Sequence, residues 1–407
     1  MSGALSKLRV LDLTRVLAGP WATQVLGDLG AEVIKIERPG IGDETRAWGP
    51  PYLRDADGNE TDQSAYYLSA NRNKRSITID ITKPKGQAII RRLAETSDVI
   101  IENYKVGGLK RYNLDYDTLR AINPGLIFCS ITGFGQTGPY AHRAGYDFLI
   151  QGMGGLMSVT GRKDDTPGAG PQKVGVALTD VLTGLYSVIS ILAALNSRRE
   201  TGNGQHIDMA LLDVQVSSLA NQNMNYLTTG ELPKRLGNAH PNIVPYQDFP
   251  SKDGGVILAV GNDRQFAALC EVLGNSDWAQ DPRFATNAAR VSNRDALIEL
   301  MSAVTVTATT QEWVEEFEKA GVPCGPINSL KDVFEDPQVI ARSMEIGLPH
   351  PLAGTVPLVA SPIRLSDTPV EYTLPPPLLG EHTRWLLSSA LGMSEKEIDA
   401  LAAEAVI

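Results

Sequence analysis

Asp180 follows Thr179 at the head of residues 180–196, whose apolar spacing reads as a long helix. A carboxylate at that point has two readings. As an N-cap it would accept hydrogen bonds from the orphan amides of the first turn and sit at the positive end of the helix dipole. As a nucleophile it would be held ionised by the same amides, at the mouth of a pocket where Gly154 and Gly155 let a substrate approach closely. The residues alone leave both readings open.

A second group of side chains points to an anionic ligand. Residues 70–111 hold ten basic and four acidic side chains, a local net charge of +6 in a chain of net charge −10. That excess suits a small polyanion, although part of it reads as solvated helix face. Glu37-Arg38-Pro39 ends the second expected strand, where an arginine suits a phosphate or pairs with a carboxylate on a neighbouring helix. The first strand-to-helix turn retains only Gly19 of a G-x-G-x-x-G fingerprint, so nicotinamide or flavin binding in the usual manner is not expected.

The overall negative charge argues against nucleic acid as a partner. Cys129, Cys270 and Cys324 are far apart, and the five histidines show no zinc-site spacing, so neither a disulfide framework nor a metal is expected. No uninterrupted apolar run approaches the roughly 18 residues of a membrane span. The opening residues run directly into a strand pattern without a signal or transit segment. These readings point to a cytoplasmic enzyme.

The elements that must position these residues alternate. Strand patterns fall at residues 8–13, 32–36, 76–81, 98–102, 126–131, 173–178 and 206–211, and helix patterns at 21–29, 84–94, 116–122 and 180–196. Such alternation implies an α/β fold: a Rossmann-like parallel sheet in a large domain, with ligands at the carboxyl ends of the strands. The texture changes near residue 228, where a hairpin over 244–260 and further helices read as a smaller α+β domain. The expected division is 1–200 for the large domain, 201–227 for a linker and 228–328 for the small domain. Residues 329–407 then form a loop-rich return ending in a helical pair that completes the large domain.

Several strings, in order along the chain, resemble one family. They are VLDLTRVLAGP at 10–20, LGDLGAEVIKIERP at 26–39, NRNKRS at 71–76, ENY at 102–104, GFGQTGP at 133–139, AGYD at 144–147 and PLLGEHT at 377–383. The family is the class III CoA-transferases, of the formyl-CoA transferase and carnitine CoA-transferase type. The resemblance implies an interlocked homodimer that moves CoA between carboxylates, with CoA thioester as substrate and no permanently bound cofactor. It places the nucleophile on Asp180 and the CoA contacts on Val16, Leu17, Arg38, Asn103, Tyr104, Arg111 and Tyr146. A loop closing over the activated acyl groups is expected at residues 152–155.

Formyl-CoA transferases carry His and Gln where this chain has Arg15 and Leu17. The TRVL form at 14–17, WGPP at 48–51 and HPNIVPY at 240–246 look closer to the branch that uses succinyl-CoA and dicarboxylates such as glutarate, hydroxymethylglutarate and itaconate. A dicarboxylate acceptor leaves one carboxylate in need of a cation, for which Arg15, Arg46 and Arg72 are candidates. The alternatives are an α-methylacyl-CoA racemase-like enzyme, for which His142 is the nearby histidine, and a non-catalytic CoA-binding protein.

Overall fold

In the computed structural model, which describes residues 3–407, six parallel strands form the central sheet. They are β1 (Arg9–Leu13), β2 (Glu32–Glu37), β3 (Lys74–Thr78), β4 (Val99–Glu102), β5 (Ile127–Thr132) and β6 (His206–Ala210). Their order across the sheet is β6-β5-β4-β1-β2-β3, all pairs parallel. This is the doubly wound order, in which the connection reverses direction between β1 and β4 and opens a crevice beyond their carboxyl ends.

Alternate side chains of each strand face opposite layers, because successive Cβ atoms point to opposite faces. Leu11, Ile34, Ile77, Ile100 and Phe128 point to one core, with α2 (Pro84–Ala94), α3 (Tyr116–Ile122) and the C-terminal helices Thr383–Leu391 and Glu395–Ala403. Val10, Val33, Ile101, Ile127 and Ile131 point to the other, with α1 (Ala18–Asp28), α5 (Leu178–Thr201) and α6 (Leu211–Ser217). Between α3 and α5 lies the short α4 (Asp147–Met153). A Cβ on Gly184 would lie 2.7 Å from the Ala18 carbonyl oxygen, so this glycine lets α1 and α5 pack backbone to backbone. By length and composition α5 could cross a membrane, against the expectation that no apolar run approaches such a span; half of its apolar window is buried inside the protein.

The chain divides into two compact units. One comprises residues up to Leu156, Val174–Asn223 and Gln338–Ile407 and holds the central sheet. It also carries two hairpins absent from the sequence reading, Tyr52–Arg54 with Glu60–Ser64 and Glu345–His350 with Gly354–Val359. The other comprises Met157–Lys173 and Met224–Pro337. Its three-stranded sheet pairs Tyr246–Pro250, Gly255–Ala259 and Cys324–Pro326, over a core built on Phe249, Phe266, Phe284 and Phe317. Residues 201–227, read as a linker, contain β6 and α6, and so belong mostly to the sheet unit.

Residues 173–178 form no strand. The Val174 amide donates to the Gln151 side chain at 2.9 Å instead of to a neighbouring strand, and α5 begins at Leu178. Asp180 is therefore the third helical residue and not the N-cap. That place is taken by Ala177, which has no side chain to cap with.

Candidate active site

The crevice beyond β1 and β4 is a cavity of about 180 Å³. Arg15, Val16, Leu17, Asn103, Tyr104, Tyr146 and Asp180, more than 160 positions apart at the extremes of the sequence, all line it. Backbone geometry explains the convergence. Val16 and Leu17 lie on the turn after β1, and Asn103 and Tyr104 on the turn after β4. Asp180 enters from the first turn of α5.

The turn after β1 is held in an unusual conformation. Val16 has φ +72°, a left-handed backbone that a β-branched residue adopts only under constraint. The constraints are visible. The Val16 amide donates to Asp43 Oδ1 at 3.2 Å, and the Thr14 amide to Asp12 Oδ1 at 2.9 Å. Lys35 Nζ, fully buried, donates to the Thr14 carbonyl at 3.0 Å and to Asp43 Oδ2 at 2.9 Å. The Asn103 side chain bonds the backbone of Arg15 from both sides, accepting from its amide at 3.0 Å and donating to its carbonyl at 2.7 Å. Fixed polar partners on β1 and β2 and in the segments that follow β2 and β4 thus set the shape of the cleft floor.

Asp180 is buried, with 8% of its surface exposed. Burial first, and then the neighbouring Asp147 carboxylate, push its pKa up to about 7. The helix-end amides do not hold it ionised as the sequence suggested. They serve Asp147 instead, whose Oδ1 accepts from the Thr179 amide at 2.8 Å and from the Asp180 amide at 3.3 Å. Tyr66 lies within reach of the same charges. Burial, then Asp180, then Asp147 raise its hydroxyl to about 12, so it remains a proton donor at neutral pH.

Residues 5–383 match the family model of CoA-transferase family III. The chain belongs to that family. It is accordingly an enzyme. Similar proteins include a succinate–glutarate CoA-transferase from Agrobacterium fabrum, 53% identical over 384 residues, covering 94% of this chain and 95% of that protein. A succinyl-CoA:glutarate CoA-transferase from Mus musculus is 45% identical over 403 residues, covering 99% of this chain and 90% of that protein. Among solved structures, a CaiB/BaiF family protein from Brucella suis is similar with a TM-score of 0.83 and 52% identity, over 95% of this chain and 99% of that one.

The transferase does not bring every expected side chain to the cleft. Arg46 is buried in a bidentate pair with Glu37, at 2.9 and 2.8 Å, and also reaches the Tyr67 hydroxyl at 2.6 Å and the Pro377 carbonyl at 3.1 Å. Arg72 is buried against Asp28, at 2.9 and 2.5 Å, and donates to the Val359 carbonyl. Both are held in buried ion pairs, and neither is among the residues that line the cleft. Lys74, also in the basic stretch, is fully buried between Asp12 and the Pro20 carbonyl, where burial lowers its pKa to about 7. The run of positive charge is therefore partly internal and forms no continuous patch.

Arg38 and Arg111 lie on the surface, outside the residues that line the cleft. Neither has an ion pair among the described residues, and Arg111 stacks on Tyr112 at 4.6 Å. Arg15 does line the cleft. It pairs with Glu44 and lies over the Tyr104 ring at 5.4 Å, while its Nε is left without a partner. Residues 152–155 end α4, where a Cβ on Gly154 would meet the Gln215 side chain at 2.5 Å. Gly154 is a packing glycine, and the glycines that line the cleft are Gly133 and Gly145.

Sequence reasoning missed the parts played by Asp147 and Tyr66. Asp147 closes the AGYD string at 144–147, in which the resemblance gives a role to Tyr146 alone.

Proposed function

We propose that the enzyme transfers CoA from succinyl-CoA to a dicarboxylate, with Asp180 as the covalent relay. The observation that carries this reading is the seating of a buried, poorly solvated carboxylate in a cleft with an unsaturated cation, Arg15, among the residues matched to CoA contacts. The names of the relatives, succinate–glutarate and succinyl-CoA:glutarate CoA-transferase, support the choice of donor and acceptor.

Asp180 attacks the thioester carbonyl carbon of succinyl-CoA, the C–S bond breaks, and CoA leaves as thiolate. The thiolate attacks the aspartyl carbonyl of the resulting anhydride, releasing succinate and leaving an aspartyl-CoA thioester. The acceptor carboxylate attacks that thioester and expels the thiolate again. The thiolate then takes the acyl group from the second anhydride, and Asp180 is regenerated. Only the ionised form of Asp180 can begin this cycle. Val16, Leu17, Asn103, Tyr104 and Tyr146 contact the CoA arm, Arg38 and Arg111 its phosphates, and Arg15 the distal carboxylate of the acyl chain. The enzyme acts in the cytoplasm as an interlocked homodimer, independent of nucleic acid and membrane.

Incubation with succinyl-CoA and a panel of C4–C6 dicarboxylates tests the reading, with new CoA esters read by mass spectrometry. Transfer to at least one dicarboxylate is expected. His142 also lines the cleft, which gives the racemase alternative a histidine near Asp180. Exchange of the α-proton of a 2-methylacyl-CoA in deuterated water, without any transfer, would favour that alternative and overturn the proposal.

A further inference from the structure

The amino end of α5 is capped by a side chain from another helix. Asp147, in the first turn of α4, accepts from the Thr179 amide at 2.8 Å and from the Asp180 amide at 3.3 Å, both through Oδ1. Its other oxygen accepts from Gln151 Nε2 at 2.7 Å, and Gln151 in turn accepts from the Val174 amide at 2.9 Å. The Thr179 hydroxyl donates to Gln215 on α6 at 2.6 Å. Asp147 thus has both oxygens engaged, while no hydrogen bond to the Asp180 carboxylate is present among the described residues.

The consequence is electrostatic. Amides that would otherwise stabilise a negative Asp180 are spent on a second carboxylate one helix away, and like charges at that range oppose ionisation. Tyr66 feels the Asp180 charge, and Arg15, Tyr104, Lys105, His142, Arg143 and Tyr146 line the same cleft. Burial and Asp147 are the influences that raise the Asp180 pKa.

We propose that Asp147 is a positioning residue for CoA transfer. It fixes the first turn of α5, so that Asp180 faces the cleft, and its charge makes Asp180 a more basic nucleophile that gives up its proton less readily. A higher basicity favours attack on the thioester, at the cost of needing a higher pH before the carboxylate is free. This inference rests on Asp180 being the nucleophile.

The test is the pH profile of kcat/KM for succinyl-CoA in Asp147→Asn and Asp147→Ser, both of which keep an oxygen to accept from the amides without the charge. The acid limb of the profile is expected to move down by about one pH unit, whatever the height of the plateau. An acid limb that stays in place in a folded variant would reduce Asp147 to a structural cap and overturn the proposal. Should neither variant fold, infrared titration of the native enzyme, referenced to Asp180→Asn, reports the Asp180 carboxyl directly. A midpoint below about 5 would leave no rise for the Asp147 charge to cause and refutes the proposal. Full activity of Asp180→Asn would instead remove the nucleophile assignment on which the inference rests.

Discussion

Replacing Asp180 with asparagine should make the protein more stable at neutral pH and above. In the native state burial and Asp147 raise this carboxyl from 3.8 to about 7. The folded protein therefore holds the proton more tightly than the unfolded chain does. The linkage sign follows: the unfolded state gains by ionising from its ordinary pKa upward, and the folded state does not match it until pH passes about 7. Stability is lost progressively across that window and stays at its lowest above it. A difference of about three pKa units corresponds to roughly 4 kcal/mol as an upper bound, and about 2 kcal/mol is a more cautious figure for a site next to a solvated cleft. Asparagine has the shape of the protonated acid and escapes this cost. Thermal melts of the native protein and Asp180→Asn at pH 4 and pH 8 read the effect. The expected outcome is a variant that melts several degrees higher at pH 8 and nearly level at pH 4. An aspartate acting as N-cap gives the opposite sign, a loss of about 1 kcal/mol on substitution. A lower melting temperature for Asp180→Asn at pH 8 would therefore refute the electrostatic reading of the site.

Arg15→Leu should lose dicarboxylate acceptors by about 2 kcal/mol, roughly 30-fold in kcat/KM, while short monocarboxylates are spared. Equal loss of both classes in competition assays would show that Arg15 serves CoA or the fold. Arg38→Ala and Arg111→Ala should raise KM for the CoA ester about 10- to 100-fold with kcat little changed, as expected for a phosphate contact equally strong in ground and transition states. Initial-rate measurements check this, and an unchanged KM in both places the phosphates elsewhere. Arg72→Ala, which leaves Asp28 buried without its partner, should cost about 3–5 kcal/mol. A melt within a degree of native would contradict the structural role given to that pair.

The sheet was legible where strands carry an apolar run, as in RVLDL, VIIE and IFCSIT, bounded by punctuation such as Pro39-Gly40 and the proline that opens α2. Local signals sufficed there, whereas the mostly polar KRSIT of β3 begins two residues before the expected 76–81. The failed strand at 173–178 shows the limit, since its apolar residues read as β until the Gln151 side chain claims the Val174 amide. The same holds for the cleft. The β1 turn and the β4 turn could be placed because they follow strand ends, and Asp180 because it stands at the head of a long apolar helix pattern. The committed state of Arg46 and Arg72 could not, because their carboxylate partners lie 9 and 44 residues away in sequence and meet them only in the fold. Asp147 was hidden for the same reason: a cap supplied 32 residues upstream leaves no local capping pattern.

Whether Asp180 becomes covalently acylated is the question on which the mechanism turns. Incubating the enzyme with succinyl-CoA alone, quenching with hydroxylamine and mapping peptides by mass spectrometry answers it. The result expected is a single modified residue, Asp180, converted to its hydroxamate, with no label when Asp180→Asn is treated alike. A modification mapped to any other residue, or none under conditions where the enzyme turns over, would contradict it.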